Sequence, residues 1–405
     1  MMHFDCRFDI ADSWFFREAR AHDAIGVGQL DSVFPPPVST LAGALRTTLG
    51  DQLGVDWQAF RHGEASPEHH ELLGNGNDLG ALSIQGPFLS ESAAGQPPQL
   101  LYPAPAALMK STRVQGDDSE IELHRLRIGT PVRSDLGRVA LPELSPQTPA
   151  GSKPLEQCWI TEQGLKDWLS GKTPDTSELR MMQDLIKAES RLGIGRNNQR
   201  ATVKEGQLYQ TRHIRIRQPG LGISLQLTGV PTALTGQLDS TQLGVRLGGE
   251  GREASLSLST TDQSWQPPSA KACDAAGLLL TLITPAHLTD DMTQTPLPGF
   301  IPIRDSQGHI CHWEGELRGI GLRLISAVMP RMLRMGGWDQ QKHAPKPLRS
   351  LVTPGTVFYC QLLDTVQPIN AAVKALNGIQ IGEQQAFGFG LLAAGYWPAL
   401  EFAQG

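Results

Sequence analysis

Hydrophobic and polar positions alternate from His3 to Ile10, with Phe4, Cys6, Phe8 and Ile10 on one side and Asp5, Arg7 and Asp9 on the other. A period of two predicts a strand with one buried face. After a loop rich in charge and glycine comes FPPPVSTLAGALRTTLG. Pro35, Pro36 and Pro37 hold the chain extended. Ser39 or Thr40 offers an N-cap, and Leu41, Leu45, Leu49 and Leu53 recur every fourth residue, which predicts a helix with one apolar stripe. Gly43 and Ala44 would let a sheet or a ligand approach that helix closely.

From about residue 56 to 171 the pattern weakens to short apolar runs, read as loops and hairpins elaborating a first domain. Leu179, Met182, Leu185 and Ile186 then predict a helix over 176–192, with Gly193 as its stop. Residues 207–217 and 222–228 read as paired strands, 278–283 as a strand and 324–333 as helix or loop. Beyond them come a strand over 356–363, a helix over 370–376, a glycine-rich loop and a last strand over 391–397. Two glycine loops, LGGEGREASL from Leu247 and IGEQQAFGFGLL from Ile381, each lead into an apolar strand. Two βαββαβ units, each closing with such a loop and a fourth strand, explain that echo. Two unrelated turns are the alternative.

Composition narrows the class. A chain of 405 residues favours two domains, and 43 Gly with 29 Pro favour an α+β or mostly β protein over a helical bundle. Five widely spaced cysteines without a CxxC pair read as reduced thiols of a cytoplasmic protein. MMHFDCRFDIADSWFF lacks a basic leader before an apolar stretch, so no signal peptide is expected, and no apolar run reaches membrane-spanning length.

The formal net charge is −6, yet Arg180–Arg217 holds nine cations against three acids. Such a local excess matches a polyanion or forms a solvated face. The run includes GIGRNNQR, with donors suited to phosphate, and Tyr209, a stacking candidate. A second excess of four lies over Arg304–Arg349. Catalytic signals are sparse. Gly388-Phe389-Gly390-Leu391-Leu392-Ala393 fits GxGxxA, but the fifteen residues after Gly390 leave no room for the rest of a dinucleotide fold. Gly171-Lys172-Thr173 resembles the end of a P-loop, but Lys166 stands where its leading glycine belongs. Glu68-His69-His70-Glu71 and His309-Ile310-Cys311-His312 lack second pairs at zinc-site spacing, so no metal and no cofactor is expected.

At Pro35, Pro36, Pro37, Ser39, Thr40, Gly43, Ala44, Leu45 and Arg46 the chain resembles the RAMP proteins of type III CRISPR effectors, with a proline-rich stretch before a helix bearing G-A-L-R. Further blocks follow in order: Arg191–Ile194 with Gly206–Tyr209, Leu247–Arg252, Gly336–Asp339, Pro354–Tyr359 and Gly388–Gly390. Together they resemble the third-subunit family of the type III-B (Cmr) complex, while residues 56–171 match least. The resemblance implies an α+β fold of two tandem ferredoxin-like, RRM-related domains: residues 1–265, with an insertion over about 56–171, and residues 266–405. It implies a non-catalytic subunit that holds the 5′ handle of CRISPR RNA between the large polymerase-like subunit and the backbone RAMP subunits. No membrane and no small-molecule substrate is then expected. Arg46 would reach a phosphate. Gly248, Gly249, Gly251, Gly388 and Gly390 would admit the RNA backbone, and Arg196, Arg200 and Arg252 would add charge. Gln384, Gln385, Phe387 and Phe389 would read or stack bases, ordinary core packing being the alternative for the two rings. A rival reading is a RAMP endoribonuclease that processes precursor RNA, with His22 as general base. A third is a structural adaptor.

Overall fold

Strand β1 (His3–Ile10) turns Phe4, Cys6 and Phe8 into a core and leaves its polar residues on the other face, as the alternation predicts. The computed structural model describes residues 2–18, 29–76, 78–93, 95–115, 118–134, 137–197, 199–200, 202–288, 295–339, 344–364 and 366–398. Helix α1 (Val38–Gln52) follows. Its N-cap is Pro37, two residues before Ser39 and three before Thr40, so both expected caps fall inside the first turn.

Next come β2 (Ser83–Glu91), β3 (Leu221–Thr228), α2 (Thr232–Leu238) and β4 (Glu253–Thr261). The four strands lie antiparallel in the order β2-β3-β1-β4. Both helices cover one face, where Leu41, Leu45 and Leu49 of α1 and Leu234 and Leu238 of α2 meet Phe4, Phe8, Leu225 and Leu256. Strands Gln99–Pro103, Cys158–Ile160 and Leu179–Met181 extend the sheet beyond β2, and Thr241–Arg246 borders β4.

A second sheet is built from β5 (Ala275–Leu282), β6 (Ile320–Val328), β7 (Val357–Leu362) and β8 (Leu392–Pro398), in the order β8-β5-β7-β6. Numbered within its own unit, that order is 4-1-3-2. The first sheet has the same order read from its other edge. Helix α3 (Ile369–Leu376) covers one face through Ala372, Val373 and Leu376 against Leu278, Leu280 and Leu282. On the other face Leu279 joins Tyr102, Trp168, Tyr359 and Trp397. Because this sheet is buried on both sides, β5 reads as a continuous apolar run.

Four sequence expectations are corrected. The helix expected over 176–192 is a turn, the short strand Leu179–Met181, one helical turn at Met182–Leu185 and the long strand Ile186–Asn197. Pairing with Thr202–Ile216 outweighs the local four-residue spacing. Gly193 is therefore no helix stop: it faces Tyr209, whose ring fills the space a Cβ would need. Secondly, 207–217 pairs with that strand, whereas β3 pairs with β1 and β2. Thirdly, 324–328 belongs to β6, whose buried Ile320, Leu322, Leu324 and Ser326 follow a period of two, while 329–332 is loop, the other alternative. Lastly, 56–171 does more than decorate the first unit. It supplies β2, and its hairpin Arg127–Ser134/Gly137–Glu143 pairs onto the second sheet through Gly137 and Ile310.

Candidate nucleic-acid interface

Where β1 ends, residues Asp12–Phe16 run between two elements that are distant in sequence. Trp14 exchanges backbone hydrogen bonds with Ile214 at 2.9 and 2.8 Å. On the other side the N–H of Gly249 donates to the carbonyl of Phe15 at 2.8 Å. The segment thus joins the long hairpin Ile186–Asn197/Thr202–Ile216 to the loop Leu247–Arg252, which connects Thr241–Arg246 to β4. Trp14 turns inward to the first core, and Phe15 stacks on His213 with centroids 5.1 Å apart.

Asp12 turns outward and meets three guanidinium groups. Arg215 approaches Oδ1 at 3.1 Å; Arg191 and Arg252 approach Oδ2 at 3.2 and 3.4 Å. Beside it Glu189 binds Arg191 and Arg215. Hydrogen bonds from Arg215 and then Arg191 pull the Glu189 carboxyl down to about 2. The hydrogen bond from Arg191 is the largest influence lowering that of Asp12. His213 is buried, its Nε2 3.1 Å from the Thr211 hydroxyl and its Nδ1 3.4 Å from the Ser13 hydroxyl. Burial, then Arg191 and Arg252, lower its pKa and favour the neutral ring. An enclosed imidazole between two hydroxyls is poorly placed to take a proton from a substrate.

The expected site residues fall into two groups. Arg252, Gly248, Gly249 and Gly251 share the loop beside Asp12, and Arg196 and Arg200 belong to the hairpin whose base carries Arg191 and Arg215. Arg200 is exposed, with its backbone N–H donated to Asn197 Oδ1. Gly248 and Gly249 are crowded by Phe15 and Phe16, whereas a Cβ at Gly251 would meet nothing within 4 Å. The close approach that Gly248 and Gly249 permit is therefore made by the chain itself.

The second group lies where the two units meet. The 385–387 turn touches α1, the helix that carries Arg46. Arg46 donates to the carbonyl of Asp78 at 2.6 Å, and its Nε is buried without a hydrogen-bond partner. Its pKa is lowered, by burial above all. Gly388 sits against the carbonyl of Gly86 in β2, and Gly390 against that of Ile381. Phe389 is 2% exposed within the first unit's core, with Phe387 packed against that core. Core packing thus replaces the expected stacking role of Phe389, and Gly388 and Gly390 admit protein backbone. Gln385 remains exposed and Gln384 half-buried.

Asp12, Glu189, Arg191 and Arg215 were not among the expected site residues. The cationic run over 180–217 was the available signal for the two arginines, but nothing local ties them to Asp12, 179 residues from Arg191. His22 lies outside the described residues. A cavity of about 390 Å³ opens near Gly220, lined by Glu91, Ser92, Gln96, Gln99 and Gln218 among others, and it contains no histidine. Among the described residues no three His, Cys, Asp or Glu side chains cluster for a metal ion, and no helix is long and apolar enough to cross a membrane.

Comparison with solved structures finds subunits of the type III-B Cmr-beta complex. One, from the cryo-EM structure bound to cognate target RNA and AMPPnP in state 1, is 13% identical, with 92% of this chain and 88% of that chain covered and a TM-score of 0.45. Another, from the complex bound to cognate target RNA, is 14% identical over 88% and 86%, with a TM-score of 0.44. Comparison with curated proteins gives no match. The family model of the CRISPR-associated protein Cas_Cmr3 matches residues 9–397, nearly the whole chain and both sheets. The chain therefore belongs to the Cas_Cmr3 family, that of the third subunit of the type III-B CRISPR effector complex.

Proposed function

We propose that the chain is a non-catalytic CRISPR RNA-binding subunit that holds the 5′ handle of the guide. In this reading it bridges the large polymerase-like subunit and the backbone RAMP subunits of a cytoplasmic antiviral complex. The observation that carries the RNA reading is the convergence of Arg191, Arg215 and Arg252 at the base of a long cationic hairpin. Single-stranded RNA needs phosphate donors and exposed polar side chains and no nucleophile. Gly251 adds open backbone in the first glycine loop, Gln384 and Gln385 add amides in the second, and Arg200 adds charge at the turn of the hairpin.

Each four-stranded order is that of a ferredoxin-like βαββαβ unit, so we read the chain as two such domains, 1–265 and 266–405, the second with strands Ile301–Arg304 and Ile310–Leu317 in place of its first helix among the described residues. The long connection between β2 and β3 is the first domain's insertion, with one hairpin lent to the second sheet.

The test is binding of the isolated chain to a repeat-derived handle RNA and to a scrambled strand across a salt series, with the RNA checked for cuts. Preferential binding of intact handle, weakened by salt, is expected. Metal-independent cutting abolished by His22→Ala would move the protein to the endoribonuclease class. Absence of binding would leave an adaptor.

A further inference from the structure

The arginine cluster is already occupied by a carboxylate of its own chain. Asp12 uses both oxygens to satisfy three guanidinium groups, an arrangement equally suited to a phosphodiester. We propose that Asp12 is an internal stand-in for an RNA phosphate, and that the guide binds here by exchanging with it among Arg191, Arg215 and Arg252. This inference rests on the RNA-binding reading above.

Geometry favours exchange over a permanent ion cluster. The Asp12 side chain is 53% exposed, against 28% for Arg191, 33% for Arg215 and 25% for Arg252, so it is the outermost member. Its frame does not depend on it. β1 is held on both sides by its ladders, Trp14 by Ile214 and Phe15 by Gly249, so the side chain can turn away while the backbone stays in place. Partly exposed ion pairs contribute little to folding, so releasing the three that Asp12 makes costs little.

Glu189 behaves differently. It projects from the hairpin strand toward Arg191 and Arg215 and keeps them oriented after Asp12 leaves. Three guanidinium groups then face one fixed carboxylate, and a monoanionic phosphodiester restores the charge balance that Asp12 supplied. Ser13, 3.4 Å from Arg252, adds a neutral hydroxyl at the same place, and His213 adds no charge while it stays neutral. The carboxylate is therefore a competitor that weak anions fail to displace and a positioned RNA strand displaces.

The decisive comparison is handle-RNA affinity of the full chain and of Asp12→Asn, which keeps the shape and removes the competing charge. Removing a competing charge worth no more than one exposed ion pair should tighten binding measurably, by up to about fivefold. Unchanged or weaker binding by a folded Asp12→Asn variant overturns the exchange while leaving the RNA reading intact. If the unaltered chain binds no handle RNA, the reading beneath it fails and the exchange falls with it. A second measurement needs no variant: the Asp12 carboxyl titration followed by NMR with and without handle RNA. The groups facing it are Arg191, Glu189, His213, Arg215, Arg252 and Ser13. Displacement from the arginines should raise its midpoint toward the ordinary carboxylate value. A midpoint left low in the complex contradicts the proposal.

Discussion

Gly388 in the second glycine loop lies so close to β2 that a Cβ there would stand 2.2 Å from the carbonyl oxygen of Gly86. Its φ of +81° also belongs to the left-handed region, which β-carbons disfavour. One residue on, Phe389 enters the first unit's core, so the loop joins the two sheets.

Gly388→Ala should consequently destabilise the fold by about 2 kcal/mol or more, through backbone strain and the clash with Gly86. Differential scanning calorimetry should show a lower transition temperature. An unchanged transition would mean that this contact does not hold the units together.

Glu189 carries a pH signature. Its carboxyl falls from about 4.5 to about 2 in the folded protein, because Arg215 and Arg191 donate to the charged form. A group with a depressed folded pKa gives stability that is complete above its unfolded pKa and lost as pH falls through the folded one. Glu189→Gln should therefore lower the urea midpoint at neutral pH and flatten its decline between about pH 4.5 and pH 2. An acid limb identical to that of the unaltered chain would show that the pairs with Arg191 and Arg215 contribute nothing.

Trp168 makes the third test. Its indole N–H donates to the buried Thr281 hydroxyl at 2.9 Å, and Arg125 lies 3.7 Å over its ring. Burial pushes the Arg125 guanidinium down to about 10, though it keeps hydrogen bonds to the carbonyls of Trp168 and Lys172. Trp168→Phe retains a ring but leaves the Thr281 hydroxyl without its donor, at a cost of about 1–3 kcal/mol. Denaturant unfolding should show a lower midpoint, and Thr281→Val in the same background should recover part of it.

The sequence made local order legible and long-range pairing obscure. Period-two alternation located β1, and four-residue spacing located α1, because each buries one face against its own unit. The same spacing misled at Leu179–Ile186, where cross-strand pairing with Thr202–Ile216 decides the conformation. The Phe387–Phe389 segment looked like an aromatic platform, and only the contact with β2 shows one ring to be core. Arg252 was recognisable from its glycine loop. Asp12, its partner 240 residues away, had no local signature. Family membership was legible for a different reason: short motifs in collinear order, from Pro35–Arg46 to Gly388–Gly390, pointed to the family whose model matches residues 9–397.

If Arg191, Arg215 and Arg252 grip an RNA phosphate, the salt dependence of handle-RNA binding by Arg191→Gln/Arg252→Gln will show it. Losing one phosphate contact on a single strand should weaken binding and reduce the slope of log K against log salt by about 0.7. A folded double variant that keeps both the affinity and the salt slope of the unaltered chain would contradict the account.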